Sequence, residues 1–173
     1  MPDATGLELI AQAVRERVGD GAVVDTAYYR GEATLQIQPT AVREVLGYLK
    51  HDADEPFDFL ASLHGLDHYP EEPRLAVHYQ LLNRHRVDRL KVATRMGIDD
   101  PKVPTVTDLY PGANYPEREV YDFFGVVFEG HPDPRRILMP EDYEGHPQRR
   151  DYAIGGEPVL FTFNEHETPR RYE

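Results

Sequence analysis

The 173-residue chain is predicted to adopt an α+β fold: a mostly antiparallel sheet packed with helices, followed by an extended irregular C-terminal arm. Three observations lead there. Apolar residues recur at helical spacing in two separate segments of the first fifty residues. Several short runs of β-forming residues follow one another across turn residues, without the strand–helix alternation of a nucleotide fold. After about residue 129 the pattern gives way to Pro, Gly and charge.

Taken in order, residues 5–18 carry Leu7, Ile10, Ala11, Val14 and Val18 at helical spacing, and Gly19 and Gly21 end that helix. Residues 22–29 and 33–38 read as two strands joined in a short hairpin at Arg30-Gly31-Glu32. Pro39 stops the second strand, and Thr40 is the expected N-cap of a helix that buries Val42, Val45, Leu46 and Leu49. Strands are expected over 57–66, 74–82 and 87–95. In the second of these, Leu75, Val77, Tyr79 and Leu81 alternate with Ala76, His78 and Gln80, one buried face against one wetter face. The short stretch 83–86 makes the last two strands a hairpin. Pro101 and Pro104 break the chain before a final helix, which starts near Asn114, with Pro116 in its first turn and Glu117 at the reciprocal capping position, and ends at Gly125. The expected division is a domain over 1–129 and a docking arm over 130–173, anchored by Ile137-Leu138-Met139 and the apolar run 159–163. An unstructured stretch of that length is uncommon in a domain unless it is functional or a partner orders it.

Composition narrows the function. The formal charge of −12 opposes nucleic-acid binding, which needs a concentrated basic patch, and favours partners with basic faces. There is no cysteine, so disulfides, thiolate zinc sites and cysteinyl iron–sulfur ligation are excluded. The first twenty residues lack the basic start and apolar block of a signal peptide. No apolar run approaches the roughly 20 residues that span a bilayer, so the expectation is a soluble, cytoplasmic chain that reaches a membrane only through other proteins.

The charged residues of the last third carry the chemistry. Glu119 flanks the stripe Val120, Phe123 and Phe124, where a carboxylate wants an Arg or backbone partner. Arg118 and Asp122 are spaced for an exposed i,i+4 pair. Two copies of Glu-Gly-His-Pro, at 129–132 and 144–147, are each trailed by an Arg pair. Together His131, Arg135, Arg136, His146, Arg149 and Arg150 form a cationic set among carboxylates. Both of its histidines precede proline in irregular segments without zinc-ligand spacing. No Gly-rich phosphate loop is present, and nothing specifies a nucleophile or paired carboxylates facing a pocket. Partner recognition fits better, because Arg forks suit interface ion pairs and Pro-stiffened segments lose less entropy on docking.

The run Glu117, Arg118, Glu119, Asp122, Phe123, Phe124, His131, Arg135, Ile137 and Leu138 resembles the hallmark of the 30 kDa subunit of proton-pumping NADH-quinone oxidoreductase, respiratory complex I. The upstream segment 103–110, with Ala113-Asn114, and the downstream Pro140-Glu141-Asp142, Glu144-Gly145-His146-Pro147 and Arg149-Arg150-Asp151-Tyr152 are similar to it as well. Two departures stand out. Tyr115-Pro116 occupies a place where members often carry a bulky apolar pair, and the chain ends soon after Phe163.

The resemblance implies a cofactor-free structural and assembly subunit of the peripheral arm, held on the cytoplasmic side of the cell membrane. It would lie against the large quinone-site subunit and the iron–sulfur subunits. The whole enzyme passes electrons from NADH through FMN and iron–sulfur clusters to quinone and pumps protons. In this reading Glu117, Arg118, Glu119, Asp122, His131, Arg135, Arg136, His146, Arg149 and Arg150 are partner-docking residues, and none is catalytic, cofactor-binding or metal-ligating. Two alternatives stay open at this level: the equivalent subunit of a membrane-bound hydrogenase, and a stand-alone metal-dependent or acid–base hydrolase using His64, His68, His131 and His146.

Overall fold

The first helix, α1 (Ala4–Val18), turns Leu7, Ala11 and Val14 inward, and the Asp3 carboxylate caps it by accepting the Gly6 N–H at 2.7 Å. The computed structural model describes residues 2–153 of the chain. Strands β1 (Val23–Tyr29) and β2 (Glu32–Ile37) pair antiparallel through a tight turn in which Arg30 and Gly31 both take positive φ, 51° and 83°. Two successive left-handed residues match the turn to the right-handed twist of the strands.

The cap predicted at Thr40 is not formed. Residues Pro39–Ala41 make a short 3₁₀ turn that runs directly into α2 (Val42–His51), so no side chain is needed at that N-terminus. A meander of β3 (Phe59–Asp67), β4 (Leu75–Asn83) and β5 (Asp88–Met96) follows. It returns β5 beside β2, and the five-stranded order is β1-β2-β5-β4-β3. Every neighbouring pair is antiparallel except β2 with β5, which is parallel. The alternation read in β4 is realised: Leu75, Val77, Tyr79 and Leu81 are fully buried with Leu90 and Val92 of β5 and Leu35 and Ile37 of β2.

All three α-helices among the described residues cover that one face. α2 contributes Val42, Val45, Leu46 and Leu49 to the core, and α3 (Asn114–Phe124) lies across β3 with Val120 and Phe124 inward. The approach of α3 depends on Gly65: a Cβ there would sit 2.6 Å from the Phe124 ring and 3.1 Å from Val120. Two short strands, β6 (Lys102–Pro104) and β7 (Val127–Glu129), pair parallel and clasp the two ends of the α3 connection. Residues 131–153 contain neither helix nor strand, and their contacts lead back to α3 and to the start and end of the β3–β4 connection. The apolar run 159–163 lies outside the described residues.

Candidate docking site

Helix α3 organises the charged residues that the sequence singles out. Its N-terminus is entered from a 3₁₀ turn (Pro111–Ala113), and Asn114 is inside the helix rather than capping it. Glu117, expected to close a capping box, instead turns into the protein and is completely buried. One of its carboxylate oxygens accepts the Thr105 hydroxyl at 2.6 Å and the other the Val106 N–H at 2.8 Å. Glu117 thereby ties the 105–107 loop to α3. Burial pushes its pKa up to about 7, against the downward pull of those two hydrogen bonds.

His131 stands beside this carboxylate, 3.8 Å from its oxygen. Its Nδ1 accepts the Asp133 N–H at 3.0 Å, which leaves the ring proton on Nε2, 3.1 Å from the Asn114 carbonyl. His131 thereby braces the helix start through the Asn114 carbonyl.

Asp122 is the second fully buried carboxylate of α3. The exposed pair expected between Arg118 and Asp122 does not exist. Asp122 Oδ2 accepts the backbone N–H groups of Ile137, Leu138 and Met139 at 3.1, 2.8 and 2.9 Å, and Oδ1 accepts Arg136 Nη1 at 2.7 Å. Burial alone would raise its pKa, but the three N–H groups and the guanidinium outweigh it and hold the carboxyl below its ordinary value. Arg118 points the other way: its Nε and Nη2 donate to the carbonyls of Arg135 and Arg136, both at 3.0 Å, and its Nη1 lies 3.4 Å from Asp133.

The C-terminal end of α3 is capped by hydrogen-bond donors from the same downstream segment, two of them arginines. Asp122 O accepts from Arg136 Nη1 at 3.2 Å and from His146 Nδ1 at 3.0 Å. Phe123 O accepts the Gln148 N–H at 3.2 Å, and Phe124 O accepts Arg149 Nε at 2.7 Å. These carbonyls have no intrahelical partner, and the negative end of the helix dipole favours cations there. Gly125, at φ 76°, ends the helix. A Cβ on it would come within 2.5 Å of both His146 Nε2 and Arg149 Nη2, so the turn and the cap both require glycine.

A third tether was not legible in the sequence. Arg74 is buried and forks onto Asp67, with Nε and Nη2 each 2.7 Å from its carboxylate, and onto Asp151 at 2.8 and 2.6 Å. Asp67 also accepts the Arg150 N–H at 2.8 Å. The Arg74 guanidinium, working against burial, holds the Asp67 carboxyl well below the usual carboxylate range. A separation of 77 residues between Arg74 and Asp151 conceals the pairing in the sequence.

The result is a fixed ridge, 131–153 strapped along α3, with Glu119, Arg135 and Arg150 on its exposed side. Glu119, the motivated partner for an arginine, is exposed, and Arg135 pairs with Asp133 at 2.7 Å instead. Leu138 and Tyr115 are apolar side chains left 60% and 66% exposed. His64 lies on the opposite face of β3 from this ridge, so the four histidines of the hydrolase alternative do not converge. Among the described residues no group of three or more His, Cys, Asp or Glu could hold a metal, and no helix is long and apolar enough to cross a membrane. A concavity of about 520 Å³ between α1, the end of α2 and the β4–β5 turn is remote from these residues.

Residues 35–158 match the family described as respiratory-chain NADH dehydrogenase, 30 kDa subunit. The chain is 41% identical over 167 residues to the C subunit of NADH-quinone oxidoreductase from Roseiflexus sp. (strain RS-1), covering 95% of this chain and 92% of that protein. Its fold is similar to a solved trypsin-resistant fragment of Nqo5, with a TM-score of 0.61 and 34% identity over 73% of this chain and 98% of that one. It also resembles a chain of the membrane-bound sulfane sulfur reductase, an archaeal respiratory membrane complex. There the TM-score is 0.69 over 96% of this chain and 94% of that one, and at 24% identity the likeness is one of fold.

Proposed function

The chain belongs to the respiratory-chain NADH dehydrogenase 30 kDa subunit family, and from that membership we propose that it is a structural subunit without a cofactor of its own. In this reading it is held at the cytoplasmic side of the membrane, in the peripheral arm of NADH-quinone oxidoreductase. Electrons pass from NADH through FMN and iron–sulfur clusters in other subunits to quinone. This chain keeps its larger neighbour in the geometry that electron transfer needs.

The observation that carries the proposal is how the charges of α3 are used. Glu117 bonds to the 105–107 loop, and Asp122, Arg118, Arg136, His146 and Arg149 hold 131–153 in one shape. Glu119, Arg135, Arg150 and Leu138 remain on the outside of that shape. A preorganised ridge with exposed charges and an apolar anchor loses little entropy on docking. Its partners would be the large quinone-site subunit and the iron–sulfur subunits, and the docking arm would comprise 130–173 with 1–129 as the domain beneath it. The trypsin resistance of the similar Nqo5 fragment, which aligns with 73% of this chain, fits a resistant domain followed by a cleavable segment.

Purification of the enzyme from native membranes tests the proposal. The chain should co-purify with quinone-site and iron–sulfur subunits, and the full chain alone should be colourless. Stoichiometric flavin, iron or zinc in the isolated chain would sink the cofactor-free reading.

A further inference from the structure

The sheet has a second face, and among the described residues no helix covers it. Register places His64 opposite His78, Ala93 opposite His78, Arg95 opposite Ala76 and Lys91 opposite Gln80, all on the side away from the core. The chain carries a charge of −12, yet across β3, β4 and β5 this side presents Arg89, Lys91, Arg95, His64 and His78 and no carboxylate. The nearest acids stand at its margins: Glu32 is 3.3 Å from Lys91, and Glu71 is 3.9 Å from Arg95. Arg95 Nε donates to the Pro73 carbonyl at 2.9 Å, but its buried Nη2 has no hydrogen-bond partner.

The local potential agrees with this arrangement. His64 and His78 meet edge to face with ring centres 5.4 Å apart. Burial, and after it the charges of His64, Lys91 and His68, pushes the His78 pKa down to about 4. At the centre of the face Ala76 and Ala93 are each only 1% exposed, so the accessible surface there is made by the larger side chains around them.

We infer that this helix-free face over β3–β5 is a second interface, distinct from the α3 ridge, and that it receives an acidic surface of a neighbouring subunit. Charge complementarity selects the occupant. Three fixed cations on a strongly acidic chain are too few for a polyphosphate, which is bound through many phosphate contacts. They are also fewer than the clusters of about four to eight Lys or Arg that bind anionic lipid. A carboxylate-bearing protein surface complements the cations of Arg89, Lys91 and Arg95 and matches a face whose central residues are uncharged at neutral pH.

The inference rests on the reading of the chain as part of the assembled enzyme. Carbodiimide treatment of the purified wild-type enzyme, followed by peptide mass spectrometry, is expected to join Lys91 Nζ to an Asp or Glu of another subunit. The Lys91→Glu, Arg95→Glu chain, checked for a wild-type melting curve in isolation, should enter the membrane enzyme at least about tenfold less well. Lys91 joined solely to Glu32 of its own chain, with the reversed variant incorporated at the wild-type level, would remove the second interface and leave the ridge standing. Charge-sensitive flotation of the full chain with vesicles containing anionic lipid, without any cross-link to protein, would assign the face to the membrane instead. Absence of the wild-type chain from the purified enzyme would overturn the subunit reading itself.

Discussion

Arg136 reaches back fourteen residues to place Nη1 2.7 Å from Asp122 Oδ1, and that contact holds the charged segment after the last helix against the domain. The pair is nearly or fully out of water, 12% and 0% exposed, whereas the neighbouring Arg135 is 67% exposed in its pair with Asp133.

The two adjacent arginines should therefore behave very differently. Arg136→Ala leaves Asp122 buried with only backbone donors and is expected to cost about 3–5 kcal/mol. Arg135→Ala should cost about 0–1 kcal/mol. Urea unfolding of each full-length variant measures both, and equal effects would contradict the burial difference. In membranes, Arg136→Ala should lower the amount of assembled enzyme, with Arg136→Lys rescuing only part, since an ammonium lacks the planar fork.

Gly125→Ala probes the helix cap. The substitution places a Cβ in the left-handed region and against His146 and Arg149 at 2.5 Å. A loss of about 1–3 kcal/mol is expected from the backbone conformation alone. Displacing Arg149 should also expose the chain to trypsin there, so the initial cleavage rate after Arg149 and Arg150 should rise. Unchanged cleavage would mean that the cap does not hold the segment.

Glu117 makes stability depend on pH near neutrality. Its folded pKa is raised, so its contribution to stability is complete below the unfolded value of 4.5 and is lost as pH rises through about 7. Between about pH 5 and pH 8 the wild-type chain should lose about 2–3 kcal/mol relative to Glu117→Gln, whose neutral amide does not titrate. Parallel stability curves for the two proteins would show that Glu117 does not titrate in this range.

Arg74 tests the tether to the sheet. Arg74→Ala leaves Asp67, 1% exposed, without its counter-charge and should cost about 3–5 kcal/mol. The double variant Arg74→Leu, Asp67→Leu removes both charges and should recover much of the loss. If Arg74→Ala unfolds within about 1 kcal/mol of wild type, the buried pair is not a support.

Much of the architecture was legible because it follows from local pattern. The alternation of Leu75, Val77, Tyr79 and Leu81 marked the buried face of β4, and Arg30-Gly31 marked the hairpin; side-chain period and turn conformation are properties of neighbouring residues. The same local logic failed where a long-range partner outcompeted it. Glu117 fits a capping box on paper, but Thr105 and Val106 offer two buried donors that no local rule anticipates.

By itself, then, the sequence determined the helices and the five strands of the main sheet, but not the short β6–β7 pair, together with the buried face of β4, the family and the importance of one charged segment. Only the tertiary structure decided what each charge does. The pairing of Asp122 with residues 136–139, of Arg149 with the end of α3, and of Arg74 with Asp67 and Asp151 depends on segments folded back on one another. So does the open face of Lys91 and Arg95, because all three helices among the described residues lie on the other side of the sheet. Burial converts a weak surface charge into a strong constraint, and burial is a property of the folded chain, not of any residue's neighbours in sequence.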